Sequence, residues 1–361
     1  MQNTLFQNFE NEIQNIQKYI EHLKLIDEIA KNSSSSNEEL FKAFNIHLAT
    51  FNVDKKVFEY KSIIISLYGI LEKYISIWLK DHISNINQLL PTYDKLPLKI
   101  QEEHFRLSIK LISLLSENKF SKYEMLDKEK ILLNLASCFN TSNYQLNTDA
   151  FLPLSGNLKH QKIVEAFKSI DINLTDQLKR NETLLPLLEE KYGSQIEKKH
   201  NDILFLLIDD LVTRRNDIAH GSEIDDLLEI DRFSDYIKFL KIYGKAIFEV
   251  LIEKEISYEV SHYEEMDIID IFRNSILCFT LENHIIKKGD YIIIKKFNGN
   301  FFKKIILDIQ IDNKSFDKKE ILSATNIGIN LGGELKQNQK FYLKRRIYKN
   351  KSKPFKQKTT H

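Results

Sequence analysis

The sequence predicts an α+β multidomain chain: an all-α helical bundle over residues 1–255, a small β-barrel over residues 256–343 and a basic disordered tail over residues 344–361. Three observations carry this. Apolar residues recur every three or four positions through about the first 250 residues, a stretch with five glycines, which is the amphipathic-helix period. After about Ser257 the texture changes to short β-branched and aromatic runs parted by Gly, Asp and Asn. The tail carries eight Lys and Arg side chains and no acid, so the formal +1 of the 361 residues leaves residues 1–343 at −7.

The elements follow in order. A long helix is expected over residues 4–30, where Leu5, Phe9, Ile13, Ile16, Ile20, Leu23 and Ile26 walk along one face, and the run Ser33-Ser34-Ser35-Ser36 stops it. Residues 57–82, rich in Ile, Leu and Tyr and containing Trp78, make a second, largely buried helix, with Pro91 and Pro97 in the connection after it. Helices over 101–115, 128–139, 159–169, 199–220 and 234–253 complete a bundle. Strands are expected over 276–281, 291–296, 301–311, 327–331 and 341–343. Between them Lys288-Gly289-Asp290 and Asn298-Gly299-Asn300 supply turn chemistry.

Composition narrows the function classes. At 42% hydrophobic and 29% charged the chain reads as an ordinary globular protein. Cys138 and Cys278 form no CxxC and have no His at ligand spacing, so neither a disulfide framework nor a zinc site is expected; no metal or other cofactor is called for, and a reducing cytoplasm fits. The N-terminus lacks the basic and apolar regions of a signal peptide, and the most apolar stretch, residues 63–79, is cut by Glu72 and Lys73, so no membrane span is expected. No Gly-rich phosphate loop, GxSxG, HExxH or DxDxDG string occurs, and His104, His160, His200, His262 and His284 are isolated. An acidic body disfavours a broad nucleic-acid surface and allows a local cationic arm.

One segment of the helical half stands out chemically: Asp209-Asp210-Leu211-Val212-Thr213-Arg214-Arg215-Asn216-Asp217-Ile218-Ala219-His220-Gly221-Ser222. Helical period runs into it, and Gly221 is a natural C′ residue, which puts His220 in the last turn. Asn216 and His220, four apart, share a face, whereas Arg215 is rotated about 140° from His220, so one straight helix does not aim both at a single atom; two copies meeting across a symmetry axis can. The string Arg215-Asn216-Asp217-Ile218-Ala219-His220 resembles the R-x4-6-H motif of the HEPN superfamily, whose members are all-helical and include many metal-independent ribonucleases of toxin and antiviral systems. The helix containing Ser62 to Tyr74 looks like the early family helix that carries an acidic residue, here Glu72, and Leu154-Ser155-Gly156-Asn157-Leu158 is similar to segments upstream of the motif. The resemblance covers about residues 1–255.

The resemblance implies that His220 is a general base or acid, that Arg215 clamps phosphate charge and that Asn216 orients either, with Glu72 and Arg214 in support. The residue types suit the chemistry: ribonucleolytic transesterification needs a base for the 2′-OH, an acid for the leaving 5′-oxygen and a cation for the phosphorane. Histidine exchanges protons near neutral pH, and arginine offers a fixed fork to two phosphate oxygens. The same residues have plainer uses. His220 can simply cap a helix, Arg214 and Arg215 can pair with Asp209 or Asp210, and Glu72 can snorkel or find a partner.

Residues 276–343 look like the barrel domain that follows the GTPase domain in elongation factor Tu and its relatives, through Lys288-Gly289-Asp290, the 303–311 run and Ala324 to Leu331. Ala324 lacks the Gly that usually follows it, and no GTPase domain precedes the barrel. The resemblance implies a module that recognises tRNA, the ribosome or a partner protein; a generic packing barrel is the plain alternative. The tail, with Lys344, Arg345 and Arg346 at its head and Tyr348 and Phe355 among lysines, suits stacking on single-stranded bases plus phosphate contact, or solubility alone. The expected function is a metal-independent endoribonuclease, acting as a homodimer on RNA such as tRNA in prokaryotic toxin or antiphage defence, with an antitoxin or defence-system protein as a further partner. The alternative is a non-catalytic RNA- or protein-binding module.

Overall fold

The computed structural model describes residues 2–33, 38–116, 126–139, 143–153, 157–222 and 226–344, and the chain divides into two compact units, Met1–Ile252 and Glu253–His361. Residues 345–361, where most of the expected tail falls, lie outside the described residues, as do Leu154, Ser155 and Gly156.

The helices are α1 (Gln2–Ser33), α2 (Glu39–Leu89), α3 (Leu98–Ser116), α4 (Lys128–Ser137), α5 (His160–Ser169), α6 (Leu174–Arg180), α7 (Leu185–Tyr192), α8 (Asn201–Leu204), α9 (Leu206–Ala219) and α10 (Phe233–Glu259), of which residues up to Ile252 belong to the first unit. The α1 stripe behaves as its period demands: Phe9, Ile13, Ile20 and Leu23 are buried. Its rings enter an aromatic cluster with α2 and α10. Phe9 meets Trp78 edge-on at 5.1 Å and Tyr74 at 5.3 Å, and Phe6 stacks on Phe248 at 5.3 Å. Gly244 of α10 makes room for this: a Cβ there would sit 2.4 Å from Cζ of Phe9.

Helices α6 and α7, of seven and eight residues, have no counterpart in the sequence expectation, and two expected helices differ in extent. Helix α2 is 51 residues long because it begins at Glu39, far ahead of residue 57. Its first turns carry Leu40 and Val53 about three-quarters exposed, so no buried stripe announces them. By length and composition α2 could cross a membrane, yet 56% of its most apolar window is buried. That apolar surface is spent inside the bundle. The single helix expected over 199–220 is two, α8 and α9, parted at Phe205, whose φ −111 and ψ 18 leave the helical well. Phe205 is fully buried and stacks on the His160 ring at 3.7 Å, a tertiary contact that overrides a helical period.

The strand-rich unit holds β1 (Tyr263–Glu265), β2 (Ile268–Phe272), β3 (Ile276–Leu281), β4 (His284–Lys287), β5 (Tyr291–Lys295), β6 (Phe301–Ile305), β7 (Asp308–Ile311), β8 (Lys314–Phe316), β9 (Lys318–Ile321), β10 (Thr325–Asn330) and β11 (Lys340–Lys344). They form antiparallel sheets of order β1-β11-β5-β6, β2-β3-β10-β7-β8 and β4-β9. The sheets share one core in which Leu277, Phe279, Ile292, Ile294, Ile309, Ile329 and Phe341 are buried. The chain is thus all-α and then β, as its texture change requires. The run 301–311 is two strands, because Ile306 N–H donates to Asp290 O at 2.8 Å and Leu307 N–H to Asn330 O at 2.8 Å, passing the chain from one sheet to the next. Strands β1, β2, β4, β8 and β9 have no counterpart in the sequence reading. They are three to five residues long, and pairs such as the polar β9 with β4 are selected by the partner strand, not by their own alternation.

Candidate active site at the end of helix α9

Helix α9 packs against α2, burying Ile208, Leu211 and Val212. Its end is a complete Schellman motif: Gly221, at φ +70, donates its N–H to Ile218 O at 3.2 Å, and Ser222 N–H donates to Asp217 O at 3.0 Å. His220 is the C-cap residue, its own N–H donating to Asn216 O at 2.9 Å. Its imidazole is exposed and has no side-chain partner among the described residues.

Arg215 points the other way around the helix. Its guanidinium lies 4.7 Å from the ring centroid of Tyr68 on α2, and its Nη1 donates to Asn216 Oδ1 at 3.1 Å. The Asn216 amide in turn donates to Asn157 Oδ1 at 2.6 Å. The neighbouring residue closes the set, since the Leu158 N–H donates to the Tyr68 phenol oxygen. Residues 157–158 are thereby tied to both α2 and α9. Burial pushes the Tyr68 phenol above its ordinary 10 and the Glu72 carboxylate adds to the rise, against the Leu158 amide and the Arg215 charge. Glu72, half-buried one turn beyond Tyr68, therefore lies close enough to act on this ring.

Arg214 has a different fate. It donates through Nε to Asp210 at 2.8 Å, through Nη2 to Asp226 at 3.1 Å and through Nη1 to the Tyr60 hydroxyl at 3.2 Å. Burial works against its charge, but these bonds outweigh it and hold the guanidinium above its ordinary range. Asp210 also accepts from the Tyr236 hydroxyl. Arg214 is a strut between α9, α2 and the segment at Asp226, which matches its plain pairing use. No carboxylate lies within ion-pair distance of Arg215 among the described residues, so its charge is held in place by a ring and an amide and remains uncompensated.

Asp209 caps the N-terminus of α5 by accepting His160 N–H at 2.7 Å. Lys344 ends β11, exposed, with its carbonyl accepting from His284 Nε2 at 2.9 Å; Arg345 and Arg346 lie outside the described residues. Among the described residues no three His, Cys, Asp or Glu side chains converge as a metal site would require. The structure brings Arg215, Asn216 and Glu72 around Tyr68 and leaves His220 past the helix end. Tyr68 and Asn157 were not singled out as site residues from sequence. The spacing of Tyr68 one turn before Glu72 on an otherwise apolar helix was the available signal. A family model described as RiboL-PSP-HEPN matches residues 11–253. No curated protein matches the chain.

Proposed function

The chain belongs to the RiboL-PSP-HEPN family through residues 11–253, a family of RNA-related domains, and we propose that it is a metal-independent endoribonuclease working as a homodimer. The observation that carries this reading is Arg215: a charged guanidinium, oriented by Tyr68 and Asn216 and ion-paired with no carboxylate among the described residues, five positions ahead of an exposed His220. An uncompensated, pre-oriented fork is what a phosphorane requires.

The proposed step is an in-line attack. One His220 takes the ribose 2′-OH proton, the 2′-oxygen bonds to phosphorus, the bond from phosphorus to the 5′-oxygen breaks, and the His220 of the second copy returns a proton to that oxygen. Arg215 neutralises the charge gained by the phosphoryl oxygens, leaving a 2′,3′-cyclic phosphate and a 5′-hydroxyl. Because Arg215 and His220 diverge around one helix, the site draws on two chains. The setting we assign is toxin or antiphage defence, with RNA of the translation machinery as substrate and a partner protein restraining the activity.

The test is cleavage of labelled RNA in excess EDTA with end analysis. Cyclic phosphate ends are expected, and complete loss on chelation would refute the mechanism. His220→Ala should lower the rate at least ~10²-fold, as for a general acid–base residue. Arg215→Ala should be comparably impaired, and because the step draws on His220 of both copies, an equal mixture of the two variants should stay impaired. Cleavage by both variants at the native rate returns His220 to helix capping, and no cleavage by the native protein favours a non-catalytic binding module.

A further inference from the structure

The strand-rich unit carries a surface that the α9 site does not use. In the β1-β11-β5-β6 sheet, Ile292, Ile294, Phe341 and Leu343 point into the core, so the alternate positions of the same strands form the other face. Register aligns Lys340, Lys295 and Phe301 in one cross-strand row at the hairpin end and, two positions along, Tyr342 and Lys303 on either side of Ile293, which is buried beneath its neighbours. The Lys295 ammonium sits 5.2 Å from the Phe301 ring, whose centroid is 6.5 Å from that of Tyr342. Beyond the row, at the tip of the β5–β6 hairpin, Phe297 is 86% exposed. From Tyr291 to Ile305 the sequence has four lysines and no acid. The acid that touches the row is Glu265 of β1, 2.8 Å from the Lys340 ammonium and 3.3 Å from the Tyr342 hydroxyl; Lys303 pairs with Glu259.

We propose that the β5–β6 hairpin end of this sheet, with Phe297, Phe301, Tyr342, Lys295 and Lys340, is a binding platform for single-stranded RNA. Rings set on a pleated face accept successive bases, and lysines between them meet the backbone phosphates. Strands about 4.8 Å apart and side chains that alternate along each strand place cation and ring side by side. An anionic bilayer would engage Phe297 at the tip and leave Phe301 and Tyr342, which lie back in the sheet, unused. The proposal rests on the reading that the chain acts on RNA, and it concerns residues separate from Arg215 and His220.

The experiment is fluorescence anisotropy of the full-length protein with a labelled, 2′-O-methylated oligouridine of about 12 nucleotides, which lacks the attacking 2′-hydroxyl and so reports binding alone. Phe297→Ala should weaken binding about 5- to 10-fold, with Phe297→Tyr restoring it, the range expected for losing one stacked base. Lys295→Gln with Lys340→Gln should flatten the slope of log affinity against log salt by about 1.4, as loss of two phosphate contacts on a single strand requires. Lys314→Gln, at the start of β8, should change neither. Native affinity and native salt slope in both variants would overturn the platform. So would Phe297-dependent binding to phosphatidylserine vesicles with oligonucleotide affinity unmoved. If the platform variants lose affinity while native protein cuts no RNA, the platform stands and the nuclease reading falls; cleavage with variant-insensitive binding gives the converse.

Discussion

One set of large rings in the helical unit is interior: Phe9, Trp78, Tyr74 and Tyr243 are each buried and touch one another or a neighbouring ring. In the strand-rich unit the Phe301 ring has the Lys295 ammonium beside it at 5.2 Å, and Phe297 projects from its hairpin. The difference separates two uses of one side-chain type. A ring enclosed by other rings contributes burial energy and fixes helix spacing. A ring beside a cation at the surface contributes little to folding and keeps a face for a ligand. Tyr68 joins the two uses, for it is 2% exposed yet has the Arg215 guanidinium over its ring.

Substitutions break or sharpen that contrast, starting with the core. Trp78→Ala should destabilise the helical unit by about 3–5 kcal/mol, the usual cost of emptying a large buried aromatic site, as read by urea unfolding followed by far-ultraviolet circular dichroism. A loss below about 1 kcal/mol would mean that the cluster is not what spaces α1, α2 and α10.

Acid should come next in size. Burial holds His104 down at about 4 and His160 at about 3 against an ordinary 6.5. His104 Nε2 accepts the Asn147 N–H at 2.9 Å, and His160 Nε2 is buried without a partner, so neither ring has a place for a second proton. Between pH 6.5 and 4 the unfolded chain binds protons that the folded chain refuses. Stability is therefore full above pH 6.5 and falls as pH drops, by roughly 2 kcal/mol for each ring at pH 5. Melting temperatures at pH 7 and pH 5 measure it, and equal values would contradict the neutral buried rings.

Tyr68 sharpens the comparison at its boundary. Tyr68→Leu removes the ring under Arg215 and should lower RNA cleavage about 10-fold, on the scale of a half-buried cation–π contact. Tyr68→Phe keeps the ring and removes the hydroxyl that accepts from the Leu158 N–H, at about 1 kcal/mol of stability with cleavage within twofold of native. Equal rates for the two variants would show that the ring does not position Arg215. Phe297→Ala should have the smallest effect on folding, within about 0.5 kcal/mol by the same urea assay, because an exposed side chain has little burial to lose.

Much of the fold was legible because it is written locally. The period of Phe9, Ile13, Ile20 and Leu23 marks α1, and Gly221 marks the end of α9 through the positive φ that a Schellman motif needs. The runs at Ile276–Leu281 and Tyr291–Lys295 mark β3 and β5 by their branched side chains. The first turns of α2 left no such trace, since a helix without a buried stripe has no apolar period to detect. At the candidate site, Arg215, Asn216 and His220 could be named from the motif alone.

Their partners could not. Arg214 and Arg215 stand side by side with acids four to six positions behind, and local spacing offers both the same pairing. Only the packed chain separates them, because α9 turns one arginine toward Asp210, Asp226 and Tyr60 and the other onto Tyr68, a ring 147 positions earlier in sequence. The break at Phe205 has the same origin, a ring drawn onto His160 of another helix. Sequence by itself determined the periods, the caps and the residue types available for chemistry, which depend on neighbours within a turn. Tertiary structure decided which charge is compensated and which is left to act, because that depends on groups the chain brings together only when its elements pack.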